Sequence, residues 1–338
     1  MDRPAVTIGI LNYNGGRLVE ECVRSALDQE YDPAAVLVVD NGSTDDSPRR
    51  LRRSFPQVRL VTFAGNLGPP AVRNWIIRHA DTPLVFCVDN DVILAPDCLT
   101  RLVRTLVEDP KTAVCGPRVM DYNSRDRMQL GVTYIHYTAA VVVRHDPVDG
   151  PVEAGSVGGG AILIDRAKAL RTGLYDVDYF FGLEDNDFCT RMRIFGYRCM
   201  HVPDARIYHR AKNRGLWAAA YQIRNRWYFL LKYYRLRTLV VLSPALAVYE
   251  LSTLLFLATR GRLKDYLIAL RDLTKHLGAV LRKRRRIQAH RTLPDARLLV
   301  SGEIYLRPEI TVQHHIRWAR RLQSGFFGLY WRLARRFI

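Results

Sequence analysis

Residues 84–96 read LVFCVDNDVILAP, an apolar run that stops at Asp89 and Asp91 and then resumes. Carboxylates are rarely buried unless they are paired or bind a metal. At a strand end, residues i and i+2 lie on the same side, so the two carboxylates are expected to converge. They would repel unless a cation lay between them. Mg2+ or Mn2+ would serve, held by one or two carboxylates and by a substrate's phosphates. An ordinary surface turn fits the same residues, because Asp and Asn are common in turns.

Other apolar runs end in polar residues of comparable promise. In VVDNGSTDDS, Asp40 directly follows a strand and could accept hydrogen bonds from a base N–H or a ribose hydroxyl. The alternative is a helix cap for the segment near Pro48, which Ser47 could supply alone. FAGNLGPPAVRN sets two glycines before a helix bearing Arg73. The backbone there could approach a ligand closely, with Arg73 meeting a phosphate bidentately or simply solvated. Glu184 and Asp185 open a further helix, where acidic residues also suit the positive end of the dipole, as would Asp187.

These residues need strands and loops to hold them. AVTIGIL, AAVLVVD, VRLVTF and PLVFCVD read as four short strands separated by helices of about ten residues. That alternation predicts an α/β fold with a mostly parallel sheet covered on both faces. Such sheets bind ligands at the carboxyl ends of their strands, near the topological switch point. Here those ends carry NYN, DNGSTDD, GNLG and DND. Residues 110–165 are legible only in part: YTAAVVVRH reads as a strand, and SVGGGAILIDRAKAL as a glycine loop, strand and helix. RCMHVPDARIYHR reads as a strand reaching His209.

The chain has 338 residues and a net charge of +18, and the charge is unevenly divided. Residues 1–215 carry 27 Lys+Arg and 27 Asp+Glu, whereas residues 216–338 carry 24 and 6. This predicts a domain boundary near 215, with an acidic-site domain over 1–215 and a basic helical region over 216–338 directed at something anionic. The six cysteines form no Cys-x-x-Cys pair, which favours reduced thiols over zinc or a disulfide framework. The opening MDRPAVTIGILNYN has no signal-peptide pattern.

In order along the chain, TIGILNYN, VVDNGSTDDS, GNLGPPAVRN, FCVDNDV, GGGAILIDR and FFGLEDNDFCTRMRIFGYR, then His209, resemble glycosyltransferase family 2. These are inverting nucleotide-sugar enzymes of GT-A fold, and the chain is most similar to the rhamnosyltransferase-type members of cell-surface polysaccharide assembly. The resemblance implies that Asp40 contacts the base while Asn12 and the backbone around Tyr13 line the nucleoside pocket. Asp89 would lie near the ribose and metal, Asp91 would bind Mg2+ or Mn2+ directly, and His209 would complete the metal shell. Asp185, paired with Glu184, would be the general base toward the acceptor hydroxyl, with Asp187, two residues on, as the alternative position for that base. Gly65, Asn66, Arg73 and Asn90 belong to the same candidate nucleotide-sugar site. Processive synthases carry Gln-x-x-Arg-Trp; here the string is QIRNRW, with Gln222 one residue too far from Arg226, which argues for a non-processive enzyme.

In the basic region, residues 239–259 form a 21-residue apolar run, long enough to span a membrane. Glu250 within it would cost about 2.5–3.5 kcal/mol at mid-membrane. Arg235 and Arg237 flank one end, and Arg260 and Arg262 the other. A single span would therefore export basic segments, including LRKRRR at 281–286, against the positive-inside rule. A re-entrant or in-plane arrangement on an anionic, cytosolic membrane face is expected, with the mixed arginines and aromatics of residues 316–338 as an interfacial helix. Nucleic-acid binding would explain the charge but not the apolar run, so no nucleic-acid partner is expected. The implied function is metal-dependent transfer of a sugar from a nucleotide donor to a lipid-linked or glycan acceptor. The alternatives are a nucleotidyltransferase using paired aspartates and a basic nucleic-acid-binding protein.

Overall fold

The computed structural model of the chain describes residues 3–32, 34–211, 215–306 and 314–338. The first half alternates as the sequence predicts. β1 (Val6–Asn12), α1 (Leu18–Leu27), β2 (Ala34–Asp40) and α2 (Ser47–Ser54) come first. β3 (Arg59–Thr62), α3 (Pro69–His79), β4 (Leu84–Asp89), β5 (Val92–Leu94) and α4 (Cys98–Glu108) follow. The middle of the chain holds β6 (Thr112–Asp121), β7 (Met128–Leu130), β8 (Val132–His136), β9 (Val141–Arg144) and β10 (Val152–Glu153). Then come β11 (Ala161–Asp165), α5 (Arg166–Thr172), α6 (Glu184–Ile194) and β12 (Arg198–His209).

One ten-stranded sheet organises this part, in the order β10-β12-β6-β11-β4-β1-β2-β3, with β5 on β12 and β7 on β6. β1, β2, β3 and β4 are parallel neighbours, and the order reverses at β1, whose two sides carry β2 and β4. The expectation of a mostly parallel sheet is corrected beyond β4. β11 lies antiparallel between β4 and β6, and β10, β5 and β7 are also antiparallel to their partners. The reversal has a local cause: Gly158, Gly159 and Gly160 turn the chain beside the end of β4, where Asp89 N donates to Gly160 O at 2.7 Å. Gly159 and Gly160 have φ of +80° and +108°, a region that favours glycine. β1 is buried throughout and β4 up to its last residue, Asp89. One apolar layer packs α1 and α4 against the sheet, and the opposite layer packs α3, α5 and α6. All six cysteines are free and buried in these layers.

The basic region is helical. α7 (Ala219–Tyr233), α8 (Leu236–Thr259) and α9 (Leu263–Ala289) are followed by α10 (Asp295–Leu298), β13 (Leu299–Val300) and α11 (His314–Ala334). The side chains at the start of the C-terminal arginine–aromatic segment, residues 316–320 and 322, lie outside the described residues. β13 adds to a small sheet of β8 and β9, and an aromatic core joins these strands to α7, α8 and α11.

The change in charge near 215 is not a boundary in packing. α7 is fastened to the catalytic layer by buried ions: Lys232 Nζ meets Asp176 Oδ2 at 2.7 Å and also pairs with Asp187. Asp187 further binds Arg191 at 2.9 Å, and Lys283 of α9 reaches Asp176 and Asp178, each at 2.6 Å. Burial would raise the Asp176 carboxyl, but the two ammonium groups overcome this and hold it well below the usual carboxylate range. Part of the LRKRRR stretch is thereby internal: Lys283 serves the ion network, and Arg284 donates to the carbonyls of Leu231 and Tyr234.

Removing one member of such a network leaves uncompensated buried charge, at a cost of about 3–5 kcal/mol. Lys232→Met should lower the unfolding free energy by that amount in urea titration, and cutting the chain at Gly215 should yield an unstable, aggregating fragment. A soluble fragment with the wild-type urea midpoint for its catalytic layer would contradict this account.

Candidate active site

The carboxyl ends of β1, β2 and β4 meet at the switch point, and their polar residues are bound to one another. Asn12, fully buried, donates through Nδ2 to Asp40 Oδ2 at 2.6 Å and to Ser47 Oγ at 2.9 Å. Its Oδ1 accepts from Asn90 Nδ2 at 3.0 Å, and Asn90 also donates to the Tyr13 carbonyl at 3.2 Å. Asp40 takes Ser43 N at 3.0 Å and Ser43 Oγ at 2.6 Å. Asp40 is thus fully enclosed and ties the β1 and β2 loops together, and Ser47 serves this network through its hydroxyl. Tyr13 stays 38% exposed, on the open side of the cleft.

The GNLG loop closes the same wall. Asn41 Nδ2 donates to Asn66 Oδ1 at 2.9 Å, and Asn66 Oδ1 also takes Gly68 N at 2.9 Å. The backbones of Gly42 and Gly65 touch so closely that a Cβ on Gly42 would lie 2.5 Å from Gly65 Cα. Gly65 itself faces open space.

The chain turns at Asn90 and Asp91 and ends the strand alternation, and Asp89 and Asp91 meet different side chains. Asp89 is neutralised by Arg73, whose Nη2 lies 3.1 Å from Asp89 Oδ1 while Nη1 lies 2.7 Å from Asp185 Oδ1. The expectation that Arg73 meets a phosphate is corrected: it is a buried bridge, 4% exposed, packed over the Tyr175 ring. Burial would lower its pKa, but Asp185 and Asp89 push it higher, so it remains charged.

Asp91 faces His209 instead, with Oδ1 3.6 Å from Nε2. β12 delivers His209 here by pairing with β5, where His209 opposes Val92. Gln129, which the sequence reading missed, fixes the ring. Its Nε2 donates to the His209 carbonyl at 3.3 Å, so its Oε1 must be the atom 2.6 Å from Nδ1. An amide oxygen only accepts, so Nδ1 carries a proton toward Gln129 and Nε2 is the nitrogen turned to Asp91. Among the described residues no three His, Cys, Asp or Glu side chains gather around one point.

Glu184 and Asp185 begin α6, behind a loop held in costly conformations: Phe180 and Leu183 have φ of +53° and +65°. Asn225 of α7 holds that loop, donating to the carbonyls of Tyr179, Phe181 and Gly182 at 2.9, 3.0 and 2.7 Å. Burial, helped by the Asp185 charge, pushes the Glu184 carboxyl up to about 7. Burial also raises Asp185, with Arg73 opposing. Gly158 makes room for Asp185, since a Cβ there would lie 2.4 Å from Oδ2. Asp187, an open alternative as base from sequence, is fully buried between Arg191 and Lys232 and faces away from any substrate. In the QIRNRW string, Arg226 and Trp227 both bind Glu250, Trp227 Nε1 at 2.7 Å.

Residues 7–163 match the family model for glycosyl transferase family 2. The N-acetylglucosaminyl-diphospho-decaprenol L-rhamnosyltransferase of Mycobacterium tuberculosis is 27% identical over 235 residues, covering 61% of this chain and 76% of the relative. Among solved structures, GalNAc-T7 with UDP, GalNAc and Mn2+ superposes with a TM-score of 0.61 at 15% identity, over 70% of this chain and 49% of that one, so this chain spans about half its length. A mannosyltransferase from Pyrobaculum calidifontis in complex with GDP-Man and Mn2+ gives 0.52 at 22% identity, over 97% and 86%. These two likenesses are of fold, the GT-A fold. With the family match, the ordered motifs and that fold together, residues 7–163 form a glycosyltransferase family 2 domain.

Proposed function

We propose that the protein transfers one sugar, with inversion, from a nucleotide-sugar donor to a lipid-linked acceptor at an anionic membrane surface. The observation that carries the chemistry is the pairing of two centres on one sheet edge. Asp91 and His209 form a cation-ready pair, and Arg73 couples the neighbouring Asp89 to the raised Asp185–Glu184 carboxyls.

The reaction needs a base on one face of the sugar and charge neutralisation on the other. The acceptor oxygen bonds to the anomeric carbon as the bond from that carbon to the diphosphate breaks, and the hydroxyl proton passes to Asp185. Arg73 fixes Asp185 in place, and burial keeps the carboxyl basic enough to receive the proton. Asp91 and His209 would hold Mg2+ or Mn2+, which when bound offsets the charge on the departing diphosphate. The wall built by Asn12, Asp40, Asn66, Asn90 and Tyr13 lines the nucleoside end. The acceptor class follows the name of the mycobacterial relative, whose acceptor is a diphospho-decaprenol.

The membrane reading rests on the outer faces of the tail helices. α8 is 24 residues long and apolar enough to cross a membrane by length and composition. Yet Glu250 points inward to Arg226, Trp227 and Tyr266, while Leu236, Val240, Leu251 and Leu255 form an exposed stripe. In α11, Leu329 and Leu333 are likewise exposed. A charged inner face and an apolar outer face fit a helix lying in the interface.

Asp91→Ala should fold normally but lose Mn2+-dependent binding of a nucleoside diphosphate in calorimetric titration; an unchanged metal-dependent affinity would remove the metal role.

Asp185→Asn should retain donor binding while transfer falls by roughly 10²–10⁴. Glu184 gives a separate pH signature. With a folded value of about 7, its buried carboxyl stabilises the fold fully below its ordinary value near 4.5, and that contribution is lost as pH rises through 7. Glu184→Gln should therefore gain stability over wild type between pH 4.5 and 7, reaching on the order of 3 kcal/mol, and stay level above. Calorimetry from pH 4 to 8 checks this; a difference independent of pH would mean the carboxyl does not titrate in this range.

The intact protein should float with phosphatidylglycerol vesicles, and Val240→Glu with Leu251→Glu should abolish flotation but leave donor binding intact. Salt should weaken flotation only in part, since apolar burial is not screened. Flotation unaffected by the two substitutions would move the contact surface elsewhere.

A further inference from the structure

A cavity bordered by Tyr175 lies between α3, α5 and the tail helices α7 and α9. It encloses about 270 Å³. Its floor includes Tyr175, Asp176, Arg191 and Lys232, all buried, and its mouth is framed by the exposed Arg78, Gly173 and Arg286.

Charge accounting picks out the mouth. Around the floor, Lys232, Lys283 and Arg191 are matched by Asp176, Asp178 and Asp187 in ion pairs already described. Arg78 and Arg286 are surplus: among the described residues neither guanidinium has a carboxylate within 4 Å, and neither donates a side-chain hydrogen bond. Only their backbone carbonyls are engaged, Arg78 O by Arg166 and Arg286 O by His290. The floor adds an independent sign. Arg191, 6% exposed, lines the cavity as a further buried cation, while its unpartnered Nε is enclosed by protein. Gly173 has φ of +106°, and a Cβ there would lie 3.9 Å from the Arg286 guanidinium, narrowing the entrance.

We propose that this cavity is a phosphate-binding site, separate from the catalytic cleft, that takes a phosphate or phosphomonoester group between Arg78 and Arg286. Two planar guanidiniums present paired donors that match phosphate oxygens, and the surplus of two positive charges equals the charge of a phosphate dianion. The group could belong to a lipid headgroup or be free phosphate; the recognition chemistry is the same. Because Asn74 lines the cavity and clasps the Tyr175 backbone at 2.8 and 2.9 Å, and Tyr175 underlies Arg73, the site adjoins the support of the catalytic carboxylates.

The test is calorimetric titration of the full chain in EDTA, which removes metal-dependent binding at the catalytic cleft, with inorganic phosphate and with a water-soluble short-chain phosphatidic acid. Wild type should bind at least one of the probes saturably. Arg78→Gln combined with Arg286→Gln should lose at least about tenfold in affinity, since two charge-assisted hydrogen bonds go. Asp91→Ala should bind as wild type does. Tighter binding of the phosphatidic acid identifies a lipid headgroup as the source, and tighter binding of inorganic phosphate identifies free phosphate. Both arginines are exposed, so the double variant should keep the wild-type urea midpoint. Absence of saturable binding by either probe, or equal affinity in the double variant, overturns the proposal, as does loss of binding in Asp91→Ala.

Discussion

Carboxylates placed at and beside the ends of buried strands must each find a positive partner or, as Asp40 does, neutral hydrogen-bond donors, and the way this chain meets that demand shapes the rest of the molecule. Arg73 meets it for Asp89 and Asp185 together, one guanidinium spanning residues from β4 and α6. A planar fork with fixed spacing suits this better than a flexible ammonium would, because it sets the positions of both carboxylates. Lys232, Arg191 and Lys283 meet it for Asp176, Asp178 and Asp187. Asp91 is turned toward His209, whose ring Gln129 holds through Nδ1.

The same demand makes the basic tail part of the catalytic architecture. Asn225 satisfies three carbonyls of a loop with unfavourable φ values, so the acidic helix start is held by a residue far downstream. Lys232 neutralises Asp187 from below the same helix. The tail thus has an inner, charged role and an outer, apolar one, on opposite faces of the same few helices. Arg226, Trp227 and Glu250 lie on the inner side, while Leu236, Leu251 and Leu255 of α8 lie on the outer.

The antiparallel insertion of β11 has a corresponding use. It brings three glycines to the end of β4, where Gly158 gives Asp185 room and Gly160 accepts the Asp89 amide. A uniformly parallel sheet would have required a crossover at this edge and would have left no short loop beside the acidic residues.

Much was legible in the residues themselves. Apolar runs of strand length with intervening helical spacing gave the alternation through β4, and the polar strand ends marked the cleft, because both depend on local periodicity. The motif order gave the family, and the uneven charge marked the tail. The partners of the charges were not legible. Arg73 reads as a phosphate ligand and proves to be a bridge, and Asp187 reads as an alternative base and proves to be internal. Gln129 gives no signal at all, and the boundary at 215 is one of charge but not of packing. Each of these depends on contacts between residues roughly 16 to 112 positions apart. Periodicity fixes which side a residue faces along its own element, whereas the counter-charge it meets is decided only when separate elements close around a low-dielectric interior that cannot leave a carboxylate alone.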